Sequence, residues 1–177
     1  MKVIATFFRL GVVSVIVLTL LSACAFNTPT GATFSHQAVS GSDKALVYFY
    51  RPSGESFGYD RTYFLSVNQR RVVDLLHGGY FPYETSPGKL TLQSDVNFSV
   101  RKWLPCIIFP ICIVVIIEAA TMPEAAKLDI EVEAGKTYYV RMHPETSPNH
   151  FSPHLTLVSK EEGEKEIADC KLITDRP

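Results

Sequence analysis

The stretch ALVYFYR, residues 45–51, decides the fold. Almost every position in it is aliphatic or aromatic, and such side chains favour extended backbone. Apolar residues fall on both faces, which is typical of a strand that is covered on two sides. We therefore predict the central strand of a layered β-structure. The turn residues Pro52-Ser53-Gly54 end this strand.

Short apolar runs separated by turn residues continue along the chain. Residues 62–67 and 71–76 flank Asn68-Gln69-Arg70 and predict a hairpin. Further strands are predicted at residues 80–84, 89–94, 128–133, 137–142, 155–159 and 167–173, with a charged loop at 161–166. Roughly eight or nine short strands with turns between them indicate an all-β fold, a single antiparallel β-sandwich over residues 44–177.

The N-terminal segment has the organisation of a signal peptide. Lys2 and Arg9 supply positive charge, and an apolar run follows from residue 10 to residue 21. The following Leu21-Ser22-Ala23-Cys24 resembles the lipobox of bacterial lipoprotein precursors. The resemblance implies cleavage between Ala23 and Cys24 and attachment of palmitate-type acyl chains to Cys24. Several chains on one residue give stable membrane anchoring.

The sequence just after Cys24 bears on location. Residue 25 is alanine rather than aspartate, and for a lipoprotein this implies the outer membrane, with the domain facing the periplasm. Residues 24–43 are rich in small polar residues and predict a flexible tether. Removal of the signal peptide changes the net charge from −1 to −3, because it carries Lys2 and Arg9 and no acid. This weakly acidic balance argues against nucleic acid as a partner.

Three cysteines remain in addition to Cys24. The periplasm is oxidising, so a disulfide of Cys170 with Cys112 or with Cys106 is one interpretation. Three buried thiols are the alternative. Cys106 and Cys112 are too widely spaced for a C-x-x-C motif.

The most apolar stretch of the predicted domain is WLPCIIFPICIVVII, residues 103–117. At fifteen residues, interrupted by two prolines, it is too short for an ordinary membrane span, which needs roughly twenty. It is a strand buried in the core, a loop that dips into the membrane, or a surface that docks another protein. If it contacts the membrane, the candidate residues are Trp103, Ile107, Ile108, Phe109 and Ile113.

The side chains best suited to metal binding or catalysis are concentrated in one Pro-rich stretch, which contains His143, Glu145, His150 and His154. Imidazole and carboxylate groups bind transition metals, but this spacing matches no known site. We interpret the stretch as a surface loop whose prolines hold the histidines apart. His77, before Gly78-Gly79, is interpreted as a turn residue. We predict no catalytic residue, no resident metal and no cofactor, because no nucleophile elbow, phosphate loop or dinucleotide motif occurs.

Tyrosine is frequent in the predicted strands, at positions 48, 50, 63, 80, 83, 138 and 139. Such residues form either a binding face for glycan or peptide or, as we favour, core and cross-strand pairs.

Several short segments of the sequence together resemble one family. They are Val47-Tyr48-Phe49-Tyr50-Arg51-Pro52, Val67-Asn68, Gly79-Tyr80-Phe81, Pro87-Gly88-Lys89, Ala134-Gly135-Lys136-Thr137-Tyr138-Tyr139-Val140-Arg141 and Cys170-Lys171-Leu172. They look like a family of bacterial lipoproteins that carry the domain of unknown function 2846. The resemblance implies a transthyretin-like or PEGA-like β-sandwich. Residues 97–123 depart from it by being longer and more apolar than the family leads us to expect.

Three functions follow as hypotheses. The first is a non-enzymatic lipoprotein of the cell envelope whose sandwich binds or scaffolds an envelope protein or glycan. The second is a lipoprotein that uses residues 103–117 as a second membrane attachment. The third is a metal-dependent or hydrolytic enzyme that uses the stretch from His143 to His154.

Overall fold

The computed structural model describes residues 28–54, 62–96, 125–147 and 150–174. The elements within them are β1 (Ala45–Arg51), β2 (Tyr63–Val67), β3 (Arg70–Leu75), β4 (Gly79–Thr85), β5 (Gly88–Val96), β6 (Ala126–Val132), β7 (Thr137–Ser147), β8 (His150–Val158), α1 (Lys160–Ile167) and β9 (Lys171–Leu172). The predicted signal peptide, with Ala23 and Cys24, and the apolar segment 103–117 lie outside the described residues.

The strands form two sheets that enclose a common core. Sheet A has the order β8-β7-β1-β4-β9, and sheet B has the order β3-β2-β5-β6. The prediction of an all-β sandwich is confirmed. Most neighbouring strands are antiparallel, whereas β1 with β7 and β4 with β9 form parallel pairs. The parallel pairs join strands that are distant in sequence, because parallel neighbours need a long crossover.

Strand β1 lies in the middle of sheet A, and all of its residues are buried. Val47 and Phe49 belong to the core cluster between the sheets. Tyr48 and Tyr50 point to the opposite side and belong to a second cluster on the outer face of sheet A. The prediction of a central strand with two covered faces is therefore confirmed.

The predicted hairpin of β2 and β3 is also present. Asn68 and Gln69 form its turn with φ angles of 49° and 67°, which is the left-handed region that two-residue hairpin turns of the type I′ class require. The Asn68 side chain accepts a hydrogen bond from the Thr91 amide at 2.9 Å, which ties the turn to β5.

The last part of the chain differs from the prediction. Residues 161–166 are not a loop, and residues 167–173 are not one strand; α1 and the two-residue β9 occupy this region. The Ser159 hydroxyl caps the helix by accepting from the Glu162 amide at 3.2 Å. Gly163 and Ile167, four residues apart, are the buried positions of the helix. A single isoleucine in a highly charged run does not produce the repeated spacing of apolar residues from which a helix is predicted.

The Pro-rich stretch is the distal part of the hairpin of β7 and β8, so the prediction of a loop was wrong. Its register places His143 opposite His154 and Pro144 opposite Pro153. Arg141 is the last β7 residue that pairs with β1. Beyond it no described strand pairs with that edge of β7, and prolines in sheets are found at such edges.

Part of the predicted tether packs on the domain. The Phe34 amide donates to the Cys170 carbonyl at 3.0 Å. The Phe34 ring meets Tyr48 and Tyr80 edge-to-face, with ring centres 5.2 and 5.3 Å apart. Residues 31–40 thus cover the outer cluster of sheet A together with α1. The prediction of a flexible tether is corrected for these residues, since one aromatic side chain among small polar ones is enough to dock the segment.

Within the part of the chain that the structure describes, no helix combines the length and apolarity needed to cross a membrane.

Candidate functional site

A groove runs along the edge of the sandwich where β3 of sheet B lies beside β4 and β9 of sheet A. Its volume is about 730 Å³. The lining combines polar and apolar side chains: Gln37, Arg70, Arg71, Val72, Phe81, Pro82, Tyr83, Glu84, Leu172, Ile173 and Thr174. The volume falls within the range of ligand-binding sites, whereas the lining is more polar than is usual for them.

A β-bulge turns one arginine toward this groove. The pairing of β2 with β3 shifts between Leu65 and Ser66, so that Val72 is the extra residue and Arg70 pairs with Val67. Val67 faces the core, and Arg70 therefore lies on the inner side of β3, toward the gap between the sheets. Bulges are known to redirect side chains beside functional sites and to protect edge strands from pairing.

The other charged side chains of the groove are compensated. Arg71 pairs with Asp74. Glu84 accepts from the Ser40 hydroxyl at 2.6 Å and the Ser40 amide at 3.0 Å, and these bonds hold the pKa of Glu84 below its usual value. Arg70 is the charged group of the lining for which the described residues supply no salt-bridge partner.

The wall opposite Arg70 is apolar and aromatic. Phe81 is buried, and Tyr83 is partly buried with its ring centre 6.0 Å from that of Phe49 in the core. The groove therefore offers a ligand one uncompensated cation beside an apolar wall. This arrangement suits a carboxylate that is flanked by apolar groups.

The tyrosines on the outer face of sheet A have a structural role. Tyr48, Tyr50, Tyr80 and Tyr139 are buried, which confirms the structural interpretation for them. The Tyr50 hydroxyl donates to Glu166 Oε2 at 2.7 Å. Burial is the main cause that raises the pKa of Tyr50 far above its usual value, and this hydrogen bond raises it further.

Arg141 completes the network under the helix. Its Nη1 atom donates to Glu166 at 2.6 Å and to Glu162 at 2.9 Å. These bonds fix α1 on sheet A, because both carboxylates belong to the helix. Charge-assisted bonds of this kind are stronger than bonds between neutral groups.

Two of the candidate metal ligands come together in the structure. His143 and His154 lie on adjacent strands with ring centres 5.0 Å apart. Glu145 lies two residues after His143 and so shares its face of the strand. Across the described residues, no group of three or more histidine, cysteine, aspartate or glutamate side chains could hold a metal ion.

Cys170 is a free thiol under the outer cluster of sheet A. Burial raises its pKa to about 12, so it is an inert core residue rather than a nucleophile. Both partners considered for a disulfide with it, Cys112 and Cys106, lie outside the described residues. So do Cys24, Ala23 and the membrane-contact candidates Trp103, Ile107, Ile108, Phe109 and Ile113.

A family model described as "Protein of unknown function (DUF2846)" matches residues 41–154, which is more than half of the chain. The chain belongs to this family. The match covers β1 to β7 and the first residues of β8, so all of sheet B and most of sheet A fall within the family domain, whereas α1 and β9 lie outside it. No curated protein and no solved structure matches the chain.

The groove and Arg70 were not predicted from the sequence. The sequence shows two consecutive arginines after the hairpin turn, and this was the only signal available. Alternation would have placed Arg70 and Arg71 on opposite faces of β3, but it could not show which of them faces the core, because the position of the bulge decides that.

Proposed function

We propose that the chain is a non-enzymatic lipoprotein of the cell envelope, anchored through Cys24, whose sandwich binds another envelope protein in the groove between β3 and β4. The groove with its bulge-directed Arg70 is the observation that supports binding. The lipobox residues support anchoring. Since an outer-membrane lipoprotein faces the periplasm, the partner is a periplasmic or membrane protein.

The chemistry of the groove suggests what it recognises. Arg70 attracts a carboxylate, and the wall formed by Phe81 and Tyr83 accepts apolar side chains. The partner segment therefore carries an aspartate or glutamate between apolar residues. A hydrogen bond between a guanidinium and a carboxylate contributes about 1.5–3 kcal/mol, which makes the arginine important for affinity.

Photo-cross-linking in cells tests this proposal. A photoreactive phenylalanine derivative replaces Tyr83 in the groove, and cross-linked products are identified by mass spectrometry. The same replacement at Tyr138, an aromatic residue outside the groove, is the matched control. We expect a defined protein adduct from position 83 and not from position 138.

A second pair of variants tests the role of the charge. Arg70→Gln should lower the adduct yield at position 83 by about tenfold, and Lys89→Gln, on the exposed face of sheet B, should leave it unchanged. The proposal is contradicted by the absence of a protein adduct at position 83, or by an adduct yield that does not depend on Arg70.

The position of the apolar segment supports a second membrane attachment as a further candidate function. Val96 at the end of β5 pairs with Tyr63, and Ala126 at the start of β6 pairs with Ser94. The chain therefore leaves and re-enters sheet B at one end of the sandwich. Residues 103–117 belong to the connection between these two strands.

A lipid on Cys24 would be within reach of this same end. A series of contacts connects this end of sheet B with β9. The Tyr63 ring centre lies 5.0 Å from the guanidinium carbon of Arg51, the last residue of β1. Arg51 pairs with Gly79 at the start of β4, and Gly79 pairs with Lys171 in β9. The Gly31 amide donates to the carbonyl of Leu172, the residue after Lys171, at 3.2 Å. The seven residues back to Cys24 span at most about 24 Å, so the lipid and the end that carries the apolar segment can contact one membrane surface.

Fractionation separates the two attachments. If the segment is an anchor, the Cys24→Ala variant stays in the membrane fraction, and an added deletion of residues 103–117 releases it. If the Cys24→Ala variant is fully soluble, the lipid is the only attachment and this second candidate is rejected.

A further inference from the structure

The distal part of the β7–β8 hairpin holds a pair of imidazoles in a geometry that suits a metal ion. His143 and His154 are directly opposite each other in the antiparallel register, which brings their Cβ atoms to about 4.5–5.5 Å. Their ring centres are 5.0 Å apart, and the ring planes are inclined by 65°.

This separation matches that of two ligands on one metal. Two imidazoles bonded to a tetrahedral ion at the usual metal–nitrogen distance of about 2.0–2.1 Å place their ring centres about 5 Å apart. The rings therefore need little movement to share an ion. Adjacent strands with fixed register also hold the ligands at this distance before the metal arrives, which lowers the cost of binding.

The hydrogen bonding of the pair leaves a ligand atom available. His143 Nδ1 is buried and has no hydrogen-bond partner among the described residues. A buried imidazole nitrogen without a partner carries a desolvation cost that a metal–nitrogen bond removes.

The charges around His143 bear on metal binding, because a metal binds the neutral imidazole. Burial lowers the pKa of His143, and the charges of His154 and Arg141 lower it further, whereas Glu145 and Glu166 act in the opposite direction. Arg141 is itself paired with Glu162 and Glu166, which reduces its repulsion of a cation.

We propose that His143 and His154 form a binding site for a divalent transition-metal ion, with water in the remaining coordination positions. Imidazole suits Cu²⁺, Ni²⁺ and Zn²⁺, and Cu²⁺ binds such ligands most strongly of the three. With two protein ligands rather than three or four, the site exchanges its ion readily and differs from a structural metal centre.

Cu²⁺ titration of the untagged mature chain, purified in detergent, tests this site. All variants also carry Cys106→Ser and Cys112→Ser, so that these thiols neither bind nor reduce the ion. Calorimetry at pH 7.5 should show one ion per chain, and the electron paramagnetic resonance spectrum should show hyperfine coupling to two nitrogen atoms. The same titration at pH 5 should show much weaker binding, because protons compete for both imidazoles.

His154→Phe is the decisive variant, since it keeps an aromatic ring opposite His143 and lies at an exposed position. We expect it to lower the Cu²⁺ affinity by at least the 10- to 100-fold that the loss of an outer-shell partner costs, with an unchanged circular dichroism spectrum. His36→Gln removes an exposed imidazole elsewhere and should bind as the parent does. Equal affinity of the parent and His154→Phe, coupling to one nitrogen, or no binding at pH 7.5 would each overturn the proposal.

Discussion

Gly163 shows how one residue determines the position of the helix on the sheet. A Cβ atom at this position would lie 2.4 Å from Cγ of the Tyr139 ring, a contact that real structures do not contain. The missing side chain lets α1 approach β7 closely enough for Glu162 and Glu166 to reach Arg141. Arg70 is the comparable residue on the other side of the fold, since the bulge in β3 directs it into the groove.

The variant Gly163→Ala tests this close approach. Alanine favours the helix over glycine by about 1 kcal/mol, but overpacking against Tyr139 costs about 1–3 kcal/mol. Because the added Cβ would lie far inside normal contact distance of the Tyr139 ring, the cost is at the upper end of this range, about 2–3 kcal/mol. We therefore expect a net loss of about 1–2 kcal/mol in the free energy of unfolding, measured by urea titration. Lys165→Ala, on the exposed side of the same helix, should change it by less than about 0.5 kcal/mol. A Gly163→Ala variant as stable as the parent would show that α1 can move outward without cost.

At the scale of elements, the sequence predicted some parts of the fold well and others not at all. Strand β1 and the β2–β3 hairpin were predictable because their signals are local: a continuous apolar run, and a turn residue that tolerates positive φ. Helix α1 and residues 31–40 were not, because few apolar side chains dock them: Ile167 for the helix, and Phe34 and Val39 for the N-terminal segment. Such docking depends on the aromatic face of sheet A, which exists only after the strands assemble.

Phe34→Ala tests whether the N-terminal segment is part of the fold. The ring contacts two buried tyrosines, so its loss should destabilise the domain by about 2 kcal/mol. Hydrogen exchange should show faster exchange at residues 31–40 in this variant. Ser35→Ala, at an exposed neighbouring position, is the control and should leave both properties unchanged. If Phe34→Ala unfolds at the same urea concentration as the parent, the segment behaves as the tether that its composition predicts.

At the scale of the whole molecule, the domain has three layers: sheet B, sheet A, and a cover made of α1 and the N-terminal segment. The candidate sites occupy different layers, with the groove between the sheets and the histidine pair on the outer face of sheet A. Of these, only the histidines were visible in the sequence. Their proximity was hidden because prolines in an unpaired strand edge read as loop residues.

The buried hydroxyl and thiol groups under the cover predict how stability depends on pH. Burial raises the pKa values of Tyr48, Tyr50, Tyr80 and Tyr139, and it raises that of Cys170 to about 12. The folded state thus favours the neutral forms, while the unfolded chain ionises near the ordinary values of about 9–10. The stability they contribute is complete below about pH 9 and is lost as the pH rises through 10 toward the folded-state values.

Urea titrations at pH 8 and pH 10.5 measure this effect. We expect a clearly lower midpoint at pH 10.5, together with a jump in tyrosinate absorbance at 295 nm that coincides with unfolding. Repeating the titrations in 0.5 M NaCl separates this effect from general charge repulsion, which salt screens. Equal midpoints at the two pH values would contradict the buried, neutral state of these side chains.

We propose above all that the domain is held at a membrane by a lipid on Cys24. Intact-mass and N-terminal peptide mass spectrometry of the protein purified from bacterial membranes tests it most directly. The predicted result is a chain that begins at Cys24 and carries a diacylglyceryl group on sulfur and a further acyl group on the amine. A chain that retains Met1, or that begins elsewhere with an unmodified Cys24, would contradict the claim.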